Sequence, residues 1–300
     1  MMHSRLRATS PCSPARYKAL PSRAAAIAWL LTVLPATSLA LAADAPAAAC
    51  SRPLTAAASP IGRSMMISSA GEVTGVVRDV FDLVSLRSGC KIEYIVVPRA
   101  RAHHLFRAAS IDLMAAVTRT PERDDAGDFV QTHQVRAMLV SMRERAPGPM
   151  TISAFISGKL TIDTIRGYSF GPAYDQLLKQ PAMQTRIDSS PDPETVLRKL
   201  VAGRTSAALV FPAVLLDAAE RTGVSDRLQI DELAGMEAIP VGVYLNKRMP
   251  QADRERIQRA MQSLVRDGEF EKIFRSYNRE PDWALTGMSF LTSSVPGKHK

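Results

Sequence analysis

Residues 111–129, IDLMAAVTRTPERDDAGDF, constrain this chain more than any other stretch. Ile111 to Val117 is a short apolar run of the kind buried inside a sheet. It turns at once into Thr118-Arg119-Thr120-Pro121-Glu122-Arg123. Thr120 suits an N-cap, and Pro121 suits the first helical position, where a missing N–H costs nothing. Backbone N–H groups at such a turn, beside Arg123, suit an anion, most naturally a carboxylate against a planar guanidinium. The competing reading pairs Arg123 with Asp124, Asp125 or Asp128, all close by in the chain.

Around that junction, strand-like and helix-like segments alternate. Leu54 to Ala58 reads as a strand, and Val73, Val76, Val77, Val80, Phe81 and Val84 repeat at helical spacing up to Gly89. Lys91 to Val97 is strand-like, and Pro98 opens a helix through Phe106. Arg136 to Met142 reads as a strand, and Ala146-Pro147-Gly148-Pro149 breaks the pattern as a domain crossing would. Thr161 to Ile165, Thr205 to Val210, Leu228 to Ile230 and Ile239 to Leu245 are further strands. Helices begin at Pro172, Thr195 and Pro212, and two more lie near 252–265 and 269–277. Such alternation predicts α/β layers rather than a barrel of hairpins.

The N-terminus reads as an export signal. Arg5, Arg7, Arg16, Lys18 and Arg23 precede an apolar run from Ala24 to Ala42 that closes Ala40-Leu41-Ala42, so 1–42 is expected to be cleaved. Without those five of the 38 Lys+Arg, 33 remain against 29 Asp+Glu, a modest excess of +4. The basic pI of the whole chain therefore gives no argument for nucleic acid, and no basic ribbon supplies one. No later stretch is long and apolar enough to span a bilayer, so no stable membrane insertion is expected. Cys50 and Cys90 are left as an even pair, which in an oxidising compartment predicts a disulfide. The alternative is a lipid on Cys50 after Ala47-Ala48-Ala49, against which stand Asp44 and Pro46 and no Leu three residues before the Cys.

Motifs for chemistry are few. Gly167-Tyr168-Ser169-Phe170-Gly171 has the form G-x-S-x-G, but the only His after Ser169 is His299, near the end of the tail. With no general base to activate Ser169, the stretch reads better as a turn feeding a helix N-terminus. His103 and His104 are adjacent and diverge on a helix, so they make no metal pair. There is no H-E-x-x-H, Cys cluster or Walker lysine, and no metal or cofactor is expected.

Taken together, these pieces resemble the periplasmic solute-binding proteins of the polar-amino-acid type, family 3, from about Leu54 to Pro281. The likeness rests on the strand and Thr-x-x-Arg turn ending at Arg123, on Phe129, on Gly203-Arg204 before a strand, and on Asp267-Gly268-Glu269-Phe270 through Ile273. It implies a two-lobed, periplasmic-binding-protein-like α/β fold of type II, each lobe a sheet flanked by helices, with two hinge crossings. Lobe 1 would hold 52–142 and 238–282, lobe 2 would hold 146–233, and 283–300 would be a mobile tail. The resemblance places Arg123 on a ligand carboxylate, with Ala115, Ala116 and Thr118 contributing from the strand end. Gly167, Tyr168 and Ser169 would close from lobe 2.

The departures from the family pattern narrow the ligand. Ser206 replaces an Asp, and Phe211 stands where the family has the acid that receives an α-ammonium. A buried ammonium without a carboxylate is costly, so the expected ligand is a small carboxylate other than a standard polar α-amino acid. Phe211 is expected to face the cleft beside Tyr168 as an apolar wall. The reading is an exported, periplasmic binding protein serving an ABC permease or a sensor, and not an enzyme. Two alternatives stay open: a binding fold repurposed as partner of an exported enzyme or receptor, and a cyclohexadienyl-dehydratase-like enzyme on the same fold.

Overall fold

The computed structural model describes residues 49–278 and 287–291. The leader assigned to 1–42 and most of the 283–300 tail lie outside them. In chain order, the strands of the two large sheets and their flanking helices begin with β1 (Leu54–Ala58), α1 (Val76–Ser88), β2 (Ile92–Val96) and α2 (Arg99–Arg107). Then come β3 (Leu113–Thr118), α3 (Pro121–Ala126), β4 (Gly127–Val135) and β5 (Met138–Met142). The middle of the chain supplies β6 (Ile162–Ile165), α4 (Pro172–Leu178), β7 (Ile187–Ser190), α5 (Pro193–Val201), β8 (Ala207–Val210), α6 (Pro212–Arg221) and β9 (Leu228–Asp231). Last are β10 (Ile239–Asn246), α7 (Gln251–Arg266), α8 (Glu269–Tyr277) and β11 (Ser289–Phe290).

These strands form two mixed sheets. The first has the order β11-β4-β10-β3-β1-β2, with β1 parallel to both β2 and β3 and with β10 antiparallel to β3 and β4. The second has the order β7-β6-β8-β5-β9, with β6 parallel to β7 and β8 and with β5 antiparallel to β8 and β9. The chain thus passes from one sheet to the other between β4 and β5, and returns between β9 and β10.

Three elements differ from the sequence reading. Met138–Met142 belongs to the second sheet, bonded to β8 and β9, so the first crossing falls at 136–137 and not at the Pro-Gly-Pro break. Gly127–Val135 is a nine-residue strand, hidden in the sequence by its Gln, Thr and His positions; β10 covers its whole length. Ser289–Phe290, read as part of a mobile tail, pairs with β4 through Gln134 and His133.

The packing follows the periodicity. On α1 the buried residues Val76, Val77, Val80, Phe81 and Val84 form one stripe against the first sheet's core, each such burial contributing about 1.5–3 kcal/mol. Cys50 and Cys90 are disulfide-bonded. Their sequence separation of 40 corresponds to about 4 kcal/mol on the chain-entropy account. A sulfur so bonded is not free to carry a lipid. Gly242 is required by close approach, since a Cβ there would lie 2.0 Å from the Val130 carbonyl across the sheet.

Candidate functional site

The residues of the Thr-x-x-Arg turn come together at the end of β3. The Thr120 hydroxyl accepts from the Arg123 amide at 3.3 Å and caps α3. Tyr244, on β10, fixes the turn from below: its hydroxyl donates to Asp124 at 2.8 Å and accepts from the Thr120 amide at 3.2 Å. Arg123 folds back over the strand end, its Nη1 donating to the Thr118 carbonyl at 2.6 Å and to Thr118 Oγ1 at 2.8 Å. Two of the three nearby acids are engaged elsewhere. Asp124 pairs with Arg119 at 3.0 Å, and Asp128 pairs with Arg254 at 2.8 Å.

Ala115 and Ala116 carry an irregularity. Between Val117 and Met114, β3 has two residues where β10 has one, so the pair forms a bulge. Ala116 is left-handed, with φ 51°, a conformation that costs a non-glycine residue about 1–2 kcal/mol. Carbonyls of successive residues in a regular strand point to opposite edges. Here both turn to one guanidinium: Arg99 Nη1 donates to Ala115 O at 3.2 Å and Nη2 to Ala116 O at 2.5 Å.

Arg99 is only 9% exposed, and its guanidinium lies 5.7 Å from the centroid of the Tyr168 ring on the other lobe. Arg99 Nε and the Tyr168 hydroxyl are both buried without a hydrogen-bond partner. Among the described residues, neither Arg99 nor Arg123 makes an ion pair. Burial pulls Arg123 down to about 10, and the charge of Arg99 adds to that; burial also lowers Arg99 and raises the Tyr168 phenol to about 12.

His103 joins the lobes. Its Nε2 lies 3.0 Å from the Gly167 carbonyl, which can only accept, so that nitrogen carries the proton. Arg123 Nη2, 3.4 Å from the same nitrogen, therefore gains no acceptor from it. Burial, then the charges of Arg99 and Arg123, push His103 down to about 3, so the ring is neutral. Gly167, with φ +84°, sits so near α2 that a Cβ would lie 3.2 Å from the Ala100 amide nitrogen.

Beside this junction lies a cavity of about 590 Å³, lined by His103, Thr120, Arg123, Tyr168, Ser169 and Asp175 among others. Among the described residues, the remaining N–H groups of Arg123 have no acceptor. Glu122, at the rim, is taken by Arg107 at 2.6 Å. A second cavity of about 730 Å³ lies between the 60–68 segment and α5 and α6. Its cations are paired or in water: Arg221 pairs with Glu194 and Asp217, and Arg198, which donates to Thr195 at 2.8 Å, is exposed. The first cavity is the candidate site.

Of the residues singled out in the sequence, Arg123, Thr118, Ala115, Ala116, Gly167, Tyr168 and Ser169 gather at this junction. Phe211 does not reach the cavity. It is buried at the start of α6, its ring 4.9 Å from Phe170 and 6.2 Å from Tyr168, because Pro212 opens the helix and turns the ring into the second lobe's core. Ser206 is held by Thr161, hydroxyl to hydroxyl, at 3.2 Å. Sequence reasoning missed Arg99, His103 and Asp175. Arg99 had a signal: a cation as the first residue of a helix, against the dipole, is a local conflict of the kind that marks function.

Two lobes, each a mixed sheet flanked by helices, joined by two crossings around a shared cleft, define a periplasmic-binding-protein-like fold. The chain belongs to the bacterial extracellular solute-binding proteins, family 3, whose pattern matches residues 56–280. Among solved structures it is similar to the arginine-, lysine-, histidine-binding protein ArtJ from Geobacillus stearothermophilus, with TM-score 0.64 and 16% identity over 78% of this chain and 99% of that one. It is also similar to the amino acid ABC transporter substrate-binding protein AbpA from Streptococcus pneumoniae, bound to L-arginine: TM-score 0.63, 15% identity, over 75% and 94% of the two chains. A histidine kinase sensor domain described as similar to periplasmic binding proteins aligns with TM-score 0.64 and 14% identity, over 76% and 96%. No curated protein matches by sequence. Among the described residues no helix is long and apolar enough to cross a membrane, and no group of His, Cys, Asp or Glu is placed to hold a metal.

Proposed function

We propose that this protein is an exported binding protein that captures a small carboxylate in the cavity beside Arg123 and presents it to an ABC permease or a sensor. The observation that carries this reading is Arg123 itself. Its guanidinium is positioned by Thr118, is partly removed from water, lines the cavity and makes no ion pair among the described residues. A carboxylate supplies what a half-buried guanidinium lacks, in a planar two-point contact. The leader at 1–42 and the family's extracellular character support export. The sensor-domain likeness supports a sensor as the receiving partner as well as a permease.

The expected ligand is not a standard polar α-amino acid. Ser206 and Phe211 stand at the acid positions of the family pattern, and neither faces the cavity as a carboxylate would. One observation favours the amino-acid reading instead. Asp175 lines the same cavity with no ion pair among the described residues; burial raises its pKa, and a ligand ammonium beside it would favour its charged form. Native mass spectrometry of freshly purified protein, followed by calorimetry with any co-purified acid, tests the function. A carboxylate that binds wild type but not Arg123→Gln supports it. Full binding by the variant places the ligand elsewhere.

A further inference from the structure

Where α7 packs beside the end of α1, the first lobe carries a second cluster of cations. Arg256, Arg259, Ser263 and Arg266 fall on one side of α7, because residues three and four apart on a helix are neighbours. With Arg87 from the last turn of α1 they line a groove of about 360 Å³, and none of its lining residues lines the cavity beside Arg123. Two of the four guanidiniums are answered by the protein. Arg87 pairs with Asp267 at 2.8 Å and donates to Ser263 Oγ at 2.8 Å, and Arg259 lies 3.7 Å from Glu255. Arg256 and Arg266 make no ion pair or hydrogen bond among the described residues, although Arg256 is half-buried. Other surface arginines of this lobe have their own acids, as Arg78 has Asp82 and Arg107 has Glu122. Here four cations face two carboxylates, which leaves +2 in one groove.

We infer that this groove is a binding site for a phosphate monoester, separate from the carboxylate cavity. Like charges a turn apart on one helix face repel, and an anion between them removes that cost. A guanidinium fork meets two phosphate oxygens at once, so neighbouring arginines can share one tetrahedral group. A phosphate monoester carries about −1.5 to −2 charge near neutral pH, which matches the charge left over, whereas a single carboxylate or a phosphodiester supplies half of it. Arg256 and Arg266 are the residues that would hold the group, since their N–H donors are not engaged elsewhere among the described residues. The ester can be a soluble one or the headgroup of a lipid. The lipid source has its own support: Leu86, on α1 beside Arg87, is 79% exposed, an apolar side chain next to cations as at a membrane surface.

Calorimetry of the mature protein with three anions tests the site. Glycerol 3-phosphate has tetrahedral oxygens and two charges, dimethyl phosphate has one charge, and succinate has two charges on separate carboxylates. Glycerol 3-phosphate is expected to bind at least about tenfold tighter than dimethyl phosphate. The double variant Arg256→Gln, Arg266→Gln is expected to lose at least about tenfold in affinity for it, with an unchanged melting temperature, because neither side chain holds another part of the fold. The Arg256 Nε–H resonance of the wild-type protein should move on adding glycerol 3-phosphate and stay in place on adding succinate, which locates the ester without any variant. Flotation with phosphatidylcholine vesicles, with and without phosphatidic acid, separates the sources. Flotation that needs both phosphatidic acid and the two arginines assigns the ester to a lipid, and binding of the soluble ester alone assigns it to a free one. Ester or vesicle binding that survives the double variant overturns the site. So does an Arg256 resonance that answers succinate or dimethyl phosphate as strongly as the monoester, and so does binding of neither the ester nor the vesicles.

Discussion

Asp163, in the middle of the second sheet, and Arg123, at the end of a strand of the first, both hold charge away from water. Asp163 has no exposure at all, and the protein answers it completely. One oxygen accepts from the Thr164 amide at 2.9 Å, and the other accepts from Ser190 Oγ at 2.6 Å and lies 3.2 Å from Lys199 Nζ. Arg123 and its neighbour Arg99 receive only carbonyls and a hydroxyl, and no carboxylate. Burying a charge is costly unless it is paired, so the first arrangement serves the fold alone. The second carries a deficit that a ligand can make good. The difference separates a charge that the fold pairs from charges that it leaves without a counter-charge, on one chain.

That contrast can be broken in four ways. The largest effect is expected on binding, where Arg123→Gln should lose about 2–5 kcal/mol of affinity for a carboxylate while stability changes by less than about 1 kcal/mol. Calorimetry and urea unfolding measure the two halves. A large stability loss with binding preserved would make Arg123 a structural charge like Asp163. Next, Asp163→Ala should destabilise by about 3 kcal/mol, the low end for breaking a buried pair, because Asp188 still holds Lys199 at 2.6 Å. Its urea midpoint should fall, with carboxylate affinity unchanged. A midpoint like that of wild type would mean the Asp163 network is as idle energetically as a surface pair.

The third effect depends on pH. His103 is depressed to about 3 in the folded protein, against about 6.5 when unfolded. Between these values the unfolded chain binds the extra proton, so this contribution is complete above about pH 6.5 and is lost as pH falls toward about 3. His133, also buried and pushed down to about 3, acts with the same sign. Comparing the pH dependence of unfolding for wild type and His103→Gln therefore isolates the ring at the junction. The variant should show the shallower loss, and identical curves would place His103 in water. Smallest is Gly167→Ala. Its positive φ and the nearby Ala100 amide should make the change cost about 1–2 kcal/mol. Thermal melts read this, and an unchanged melting temperature would show that the contact between the turn and α2 is loose.

Much of the fold was legible because local chemistry dictates it. Pro121, Pro172 and Pro212 each open a helix, and Thr120 caps one with its own hydroxyl. The apolar stripe of α1 faces the core at the spacing it has in the sequence. Cys50 and Cys90 are joined as their even count predicts. What failed depended on distant partners. Met138–Met142 looks like any apolar strand, and only its bonds to β8 and β9 assign it to the second sheet. Phe211 reads in the sequence as a wall of the cleft, and the ring of Phe170 instead holds it in the core.

The candidate site divides along the same line. By itself the sequence determined the strand, the capped turn and the presence of Arg123 on it, since dihedral preference and capping act over three or four residues. Tertiary structure decided what Arg123 meets. The bulge against β10 is a matter of register between residues more than a hundred apart in sequence, and it alone turns the carbonyls of Ala115 and Ala116 together onto Arg99. The approach of Gly167 to His103 and of Tyr168 to Arg99 joins two lobes that share no local code. Local propensities fix backbone dihedrals, whereas desolvation and charge pairing depend on whichever groups the fold brings within a few ångströms.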